Sequence, residues 1–89
     1  MKAVVTVVGK DRVGIIGNVC IKLAQYNVNV LDISQTVMQG YFTMMMVVDV
    51  SQSNIPVADL AVAMEETGKE MGLSIRLQRE DIFHAMHRI

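Results

Sequence analysis

The stretch Gly9-Lys10-Asp11-Arg12-Val13-Gly14-Ile15-Ile16 changes character twice within one short span. Ahead of it, Lys2–Val8 is a β-branched run that reads as a strand ended by Gly9. Behind it, Ile16, Val19, Cys20, Leu23 and Ala24 recur at helical spacing within Gly14–Tyr26, and Asn27 follows as a stop. The loop between them is polar, and Gly14 and Gly17 stand near the start of the helix. The first turn of a helix offers N–H groups without partners and a partial positive charge. Such a junction can hold a carboxylate or phosphate through its backbone, and Gly14 would let the ligand approach without a Cβ in the way. A plainer reading stands beside this one. Asp11 can cap the helix, and the glycines can serve close packing on the sheet. Spacing alone leaves both open.

Outward from this junction the chain alternates element types. Val28–Met38 reads as a strand, Gln39–Gly40 as a hairpin turn and Tyr41–Val50 as the returning strand. Ser51–Asn54 is a loop, and Pro56 suits the first turn of a helix, where its missing N–H costs nothing. Val57, Leu60, Ala61, Met64, Gly68 and Met71 mark one face of that helix, and Gly72 fits the position just past its end. Leu73–Gln78 is a last strand. A short terminal helix over about 80–88 follows, with Ile82, Phe83, Met86 and Ile89 as its apolar side. The expected fold is α+β, a ferredoxin-like βαββαβ arrangement. Its antiparallel sheet should have the order 4-1-3-2, with two helices on one face.

Periodicity supports that order independently. Leu73, Ile75 and Leu77 alternate with Ser74, Arg76 and Gln78, and Leu31, Ile33 and Val37 alternate with Asp32, Ser34 and Thr36. Strands of this kind bury one face and belong at sheet edges. Ala3–Val8 is apolar on both faces apart from Thr6, and Met44–Val48 is apolar throughout, which suits the centre. Two helices cover one face of such a sheet. The terminal helix, a second subunit, or both must shield the other.

Composition bounds the function. The 89 residues make one domain, 1–89, and 52% of them are hydrophobic, with eight Met and few aromatics. So short a chain has a thin core, and pairing with a second copy would help it. The formal net charge is −1 with Lys and Arg scattered, so no strong pull toward nucleic acid or acidic membranes is expected. No apolar run is long enough to span a membrane. Nothing resembling a signal peptide precedes the first strand, and the single Cys20 fits a reducing compartment; a cytoplasmic protein is expected. Cys20 falls on the apolar stripe of the first helix and reads as an inert thiol. His84 and His87, beside Glu80 and Asp81, could share a metal by spacing, but no third ligand is marked. No metal, cofactor or catalytic residue is expected.

Two segments carry a family resemblance. Asp11-Arg12-Val13-Gly14-Ile15-Ile16 resembles the signature that opens the first helix of ACT domains. Asn29-Val30-Leu31-Asp32-Ile33-Ser34-Gln35 is similar to the second strand of the same family. Within it, the likeness is to small free-standing members of unassigned function, through Val8-Gly9-Lys10-Asp11, Asp32-Ile33-Ser34-Gln35-Thr36 and Ile82-Phe83-His84-Ala85-Met86. Val13 departs from the pattern, since many ACT domains have Pro there, and the loop loses a constraint on φ. The resemblance implies a regulatory domain that binds an amino acid or similar small carboxylate at a homodimer interface. The candidate ligand residues it implies are Lys10, Asp11, Arg12, Val13, Gly14 and Ile15, with Asn29 and Asp32 opposite. Arg12 would pair with a ligand carboxylate, and Asp32 would accept from an ammonium group. For Asp32 the alternation equally allows a merely solvated edge position.

Other functions fit less well. A protein-interaction module without its own ligand, engaging an enzyme or regulator, is the main alternative. RNA-recognition domains share this topology but stack bases on aromatics in their middle strands; here those strands offer Val4, Thr6, Val8 and Met44–Met46. An acylphosphatase-type enzyme would need a phosphate-cradling loop with an Asn partner, and the sequence shows no such pairing with Arg12. The chain is not expected to be an enzyme.

Overall fold

The computed structural model describes residues 1–10 and 13–80. The chain forms β1 (Lys2–Lys10), α1 (Ile15–Gln25), β2 (Asn29–Met38), β3 (Tyr41–Asp49), α2 (Val57–Met71) and β4 (Ser74–Arg79). The sheet runs β2-β3-β1-β4 with every neighbouring pair antiparallel, which is the expected order read from its other edge. The terminal helix expected over 80–88 lies, beyond Glu80, outside the described residues.

The hairpin between β2 and β3 follows from its turn. Gln39 and Gly40 both have positive φ, 51° and 83°. That is the two-residue geometry whose twist matches the flanking strands. Met38 faces Tyr41 across it, and the register then runs through Thr36 and Thr43 to Ser34 and Met45. It slips between Val30 and Asp32, leaving Leu31 as the extra residue of a bulge.

Side chains sort onto two faces by parity. Ala3, Val5 and Val7 of β1, Phe42, Met44, Met46 and Val48 of β3, and Ile75 and Leu77 of β4 are all buried against the helices. The helices contribute Ile15, Val19 and Leu23 from α1 and Leu60 and Met64 from α2. Each fully buried side chain of this size contributes about 1.5–3 kcal/mol of transfer free energy. Met45, between two buried methionines, points to the other face and is exposed.

The face of α1 is turned from its expected setting. Ile15, Val19 and Leu23, four residues apart, are the buried line, while Ile16 and Cys20 are only half-buried and Ala24 is exposed. The expected stripe therefore sat one position too far toward the C-terminus. α1 ends at Gln25 because Asn27 takes φ 60° and Val28 donates its N–H back to the Leu23 carbonyl at 3.1 Å. The loop before α2 is tied to this end of α1: Asn54 donates from its amide to the Gln25 carbonyl and Asn27 to that of Gln52.

A larger departure concerns β2. A one-sided burial of Leu31, Ile33 and Val37 is expected, yet they are 47%, 39% and 54% exposed. α2 packs beside β4, while of the β2 residues only Val30, near its beginning, packs against the core. β4, at the opposite edge, is covered instead. The Leu73 N–H donates to the Gly68 carbonyl at 2.7 Å, and α2 packs directly beside the strand.

Candidate functional site

The loop after β1 leaves the sheet at Lys10, which faces Tyr41 of β3, which in turn faces Met38 of β2. The chain enters α1 through Gly14, the residue capping the helix, with φ 91° and ψ −1°. That is left-handed backbone, which glycine adopts without the Cβ clash other residues suffer. No side chain caps the helix start among the described residues; the first intrahelical bond runs from the Asn18 N–H to the Gly14 carbonyl at 2.9 Å. Asp11 and Arg12 lie outside the described residues, and with them the expectation that Asp11 caps α1. Val13 is fully exposed. Ile15 is buried at 2% exposure, so its side chain belongs to the core and only its backbone can face a ligand. Lys10 is exposed. Among the described residues, a Cβ on Gly14 would meet nothing closer than the Asn18 amide nitrogen at 3.6 Å.

Asn29 and Asp32 stand elsewhere. Asn29 faces Asp49 of β3, itself facing Lys2 at the start of β1, and Asp32 faces Val47, which faces Val4. Within one chain, Lys10 and Asp32 are therefore about 20 Å apart along the strands. Lys10 on one side, and Asn29 and Asp32 on the other, lie toward opposite ends of the sheet. The reason is topological: α1 carries the chain back to the end where β1 began, so β2 starts far from the loop. Asn29 borders a shallow recess of about 300 Å³ with Ala24, Asn27, Val28 and Gln52.

Asp32 makes a local contact that its alternation does not disclose. Its Oδ1 accepts the N–H of Ile33 at 2.9 Å. This N–H sits on the outer side of β2, since the Met38–Tyr41 closure of the hairpin aims the alternate residues, Ser34 and Thr36, at β3.

A second concavity, of about 460 Å³, runs between α2 and β4, with Glu65 and Lys69 on one wall and Arg76 and Leu77 on the other. None of the described candidate residues lines it, and its α2 wall is an ordinary polar-to-apolar boundary that sequence pattern does not single out. On the sheet face turned from the helices, Val8, Met38, Tyr41 and Met45 are exposed. Among the described residues no group of three or more His, Cys, Asp or Glu could hold a metal, and no helix is long and apolar enough to cross a membrane. His84 and His87 lie outside the described residues. Cys20 is a free, half-buried thiol.

Comparison with known proteins agrees with this architecture. The ACT domain family model matches residues 2–78. A UPF0237 protein of Bifidobacterium longum is 53% identical over 88 residues, covering 99% of this chain and 98% of its own. One from Listeria innocua is 48% identical over the whole of both chains. Among solved structures, an ACT domain protein from Streptococcus pneumoniae superposes with a TM-score of 0.83 at 44% identity, covering 98% of each chain. A formyltetrahydrofolate deformylase from Pseudomonas syringae shares the fold over 88% of this chain and 27% of its own, with a TM-score of 0.78 at 21% identity.

Proposed function

The chain belongs to the ACT domain family, and from that premise we propose that it is a non-catalytic sensor of an amino acid or similar small carboxylate, bound between two copies of the chain. ACT domains are regulatory modules that bind small molecules. The observation that carries the finer reading is the division of the candidate residues between the two ends of β2. Lys10 lies beside one end, Asn29 and Asp32 toward the other. A two-fold axis through the exposed β2 edge would set the loop end of one copy beside the Asn29 end of the other. Asp32 would then face the partner's loop across about 14 Å, three strand spacings. The Lys10 side chain and a small zwitterion can fill that interval. The helix start at Gly14 would take the ligand carboxylate through backbone N–H groups, and Asp32 its ammonium. The cytoplasm is the proposed location, in keeping with the single free thiol.

Isothermal titration against the full set of amino acids, with native mass spectrometry of freshly purified protein, tests this reading. A retained or titrated amino acid on a dimer is expected. Binding no tighter than millimolar for every amino acid, with no retained ligand, would reject the sensing role. The interaction-module reading would then take its place, supported by the exposed cluster Val8, Met38, Tyr41 and Met45.

A further inference from the structure

We propose that Asp32 gates the pairing of two β2 edges by holding the N–H of Ile33. The inference rests on the reading that two copies meet through β2, and it gives that meeting a register and a control.

Among the described residues the two sheet edges differ: α2 packs beside β4, and no helix packs along residues 31–38 of β2. At Gly68 the backbone of α2 lies directly against Ile75 of β4. Along β2, residues 31–38 are all exposed. Ile33, Gln35 and Val37 turn their backbone groups outward, away from β3. Their side chains lie on the helix side of the sheet, opposite Met46, Met44 and Phe42.

This pattern complements itself about Gln35. In an antiparallel pairing with the axis at that residue, Gln35 faces its own copy, and Ile33 faces the partner's Val37 at both ends. On the other face of the sheet Ser34 faces the partner's Thr36. Apolar meets apolar, and hydroxyl meets hydroxyl. A shift of the axis to Thr36 would set Val37 against Gln35 and lose the match. The occupant of this edge is therefore a second copy of the chain.

In this register the Ile33 N–H must reach the partner's Val37 carbonyl. It is the donor that the Asp32 carboxylate occupies at 2.9 Å. Pairing requires Asp32 to let go. A ligand ammonium group that draws the carboxylate away would free the donor, so ligand binding and pairing would be coupled through this one hydrogen bond.

The experiment compares dimer dissociation constants by sedimentation equilibrium, without ligand, for the wild type, Asp32→Ala and Asp32→Asn. Asp32→Ala should dimerise about tenfold more tightly, since a freed donor on each copy gains a partner. Asp32→Asn keeps an acceptor oxygen and should behave like the wild type. Asp32→Ala no tighter than the wild type would overturn the gate. Asp32→Asn as tight as Asp32→Ala would also overturn it, because relief of charge repulsion would then be the cause. Gln35→Cys in a Cys20→Ala background tests the register: a disulfide between copies is expected, and its absence in the dimer overturns the pairing at Gln35. Adding amino acids to the wild type is a separate arm. If Asp32→Ala tightens the dimer while no amino acid does, the gate stands and the amino-acid reading of the site fails.

Discussion

Gly68 of α2 lies so close to Ile75 of β4 that a Cβ on the glycine would stand 2.9 Å from Cγ1 of Ile75 and 2.9 Å from the Leu73 carbonyl oxygen. The helix backbone itself rests on the strand there, and this sets how closely α2 shields the β4 edge. Gly68→Ala gains helix propensity, about 1 kcal/mol at most, but forces helix and strand apart against backbone atoms that cannot swing away. A net loss of about 1–2 kcal/mol is expected, read as a lower denaturant midpoint at unchanged slope. An unchanged midpoint would show that α2 shifts freely on the sheet.

Gly14 separates folding from binding. Its left-handed backbone, φ 91°, should cost Gly14→Val more than about 2 kcal/mol, since a β-branched residue fits that region poorly. Gly14→Asn tolerates the same backbone and should keep the circular dichroism of the wild type. The Asn side chain nevertheless enters the approach to the helix start, so amino-acid affinity should fall at least about tenfold. Full binding by Gly14→Asn would move the ligand away from this loop.

Asp49 makes stability depend on acid. Hydrogen bonds from the Ser51 side chain and then the Ser51 N–H, the latter at 2.9 Å, hold its carboxyl below the usual carboxylate range; the charge of the nearby N-terminal ammonium adds a smaller share. A carboxyl depressed in the folded state contributes stability above its unfolded value and loses it as pH falls through the folded value. Urea midpoints of the wild type should therefore drop between neutral pH and the acid side of the carboxylate range. Asp49→Asn should start lower at neutral pH and drop less. Parallel curves for the two proteins would remove Asp49 from the account.

Val37 is 54% exposed on β2, so Val37→Lys opens no cavity. Monomer stability should stay within about 0.5 kcal/mol, while dimerisation at micromolar concentration should be lost, because each lysine would face the partner's Ile33. Sedimentation equilibrium reads this directly. A variant that still dimerises like the wild type would place the contact on another surface.

Much of the fold was legible because its signals are local and periodic. Leu73, Ile75 and Leu77 alternate cleanly and are buried as the alternation demands. Gln39-Gly40 and Gly72 mark a turn and a helix end through backbone preferences that need no tertiary information. β2 was harder, since its Leu31, Ile33 and Val37 carry the same alternation as β4 but stay exposed. Period reports which side chains share a face and not whether anything covers that face. The separation of Asn29 and Asp32 from Lys10 was implicit in the topology, because a helix joining two parallel strands returns the chain to its starting end. Motif spacing along the sequence hides that distance. The contact between Asp32 and the Ile33 N–H sits just past a bulge that no residue pattern marked.

The first strand lies between the third and the fourth, with Ala3 paired to both Val48 and Arg79. As the chain leaves a ribosome, β1 waits until Ser74–Arg79 has been made before its second neighbour exists. Until then one margin of an apolar strand lies bare, a template for any other unfinished chain nearby. The β2–β3 hairpin, closed by its own turn, can form long before. Synthesis would thus yield a partly paired intermediate whose completion depends on the last strand. Slowing translation just before β4 should prolong the period in which that intermediate can be captured by a chaperone.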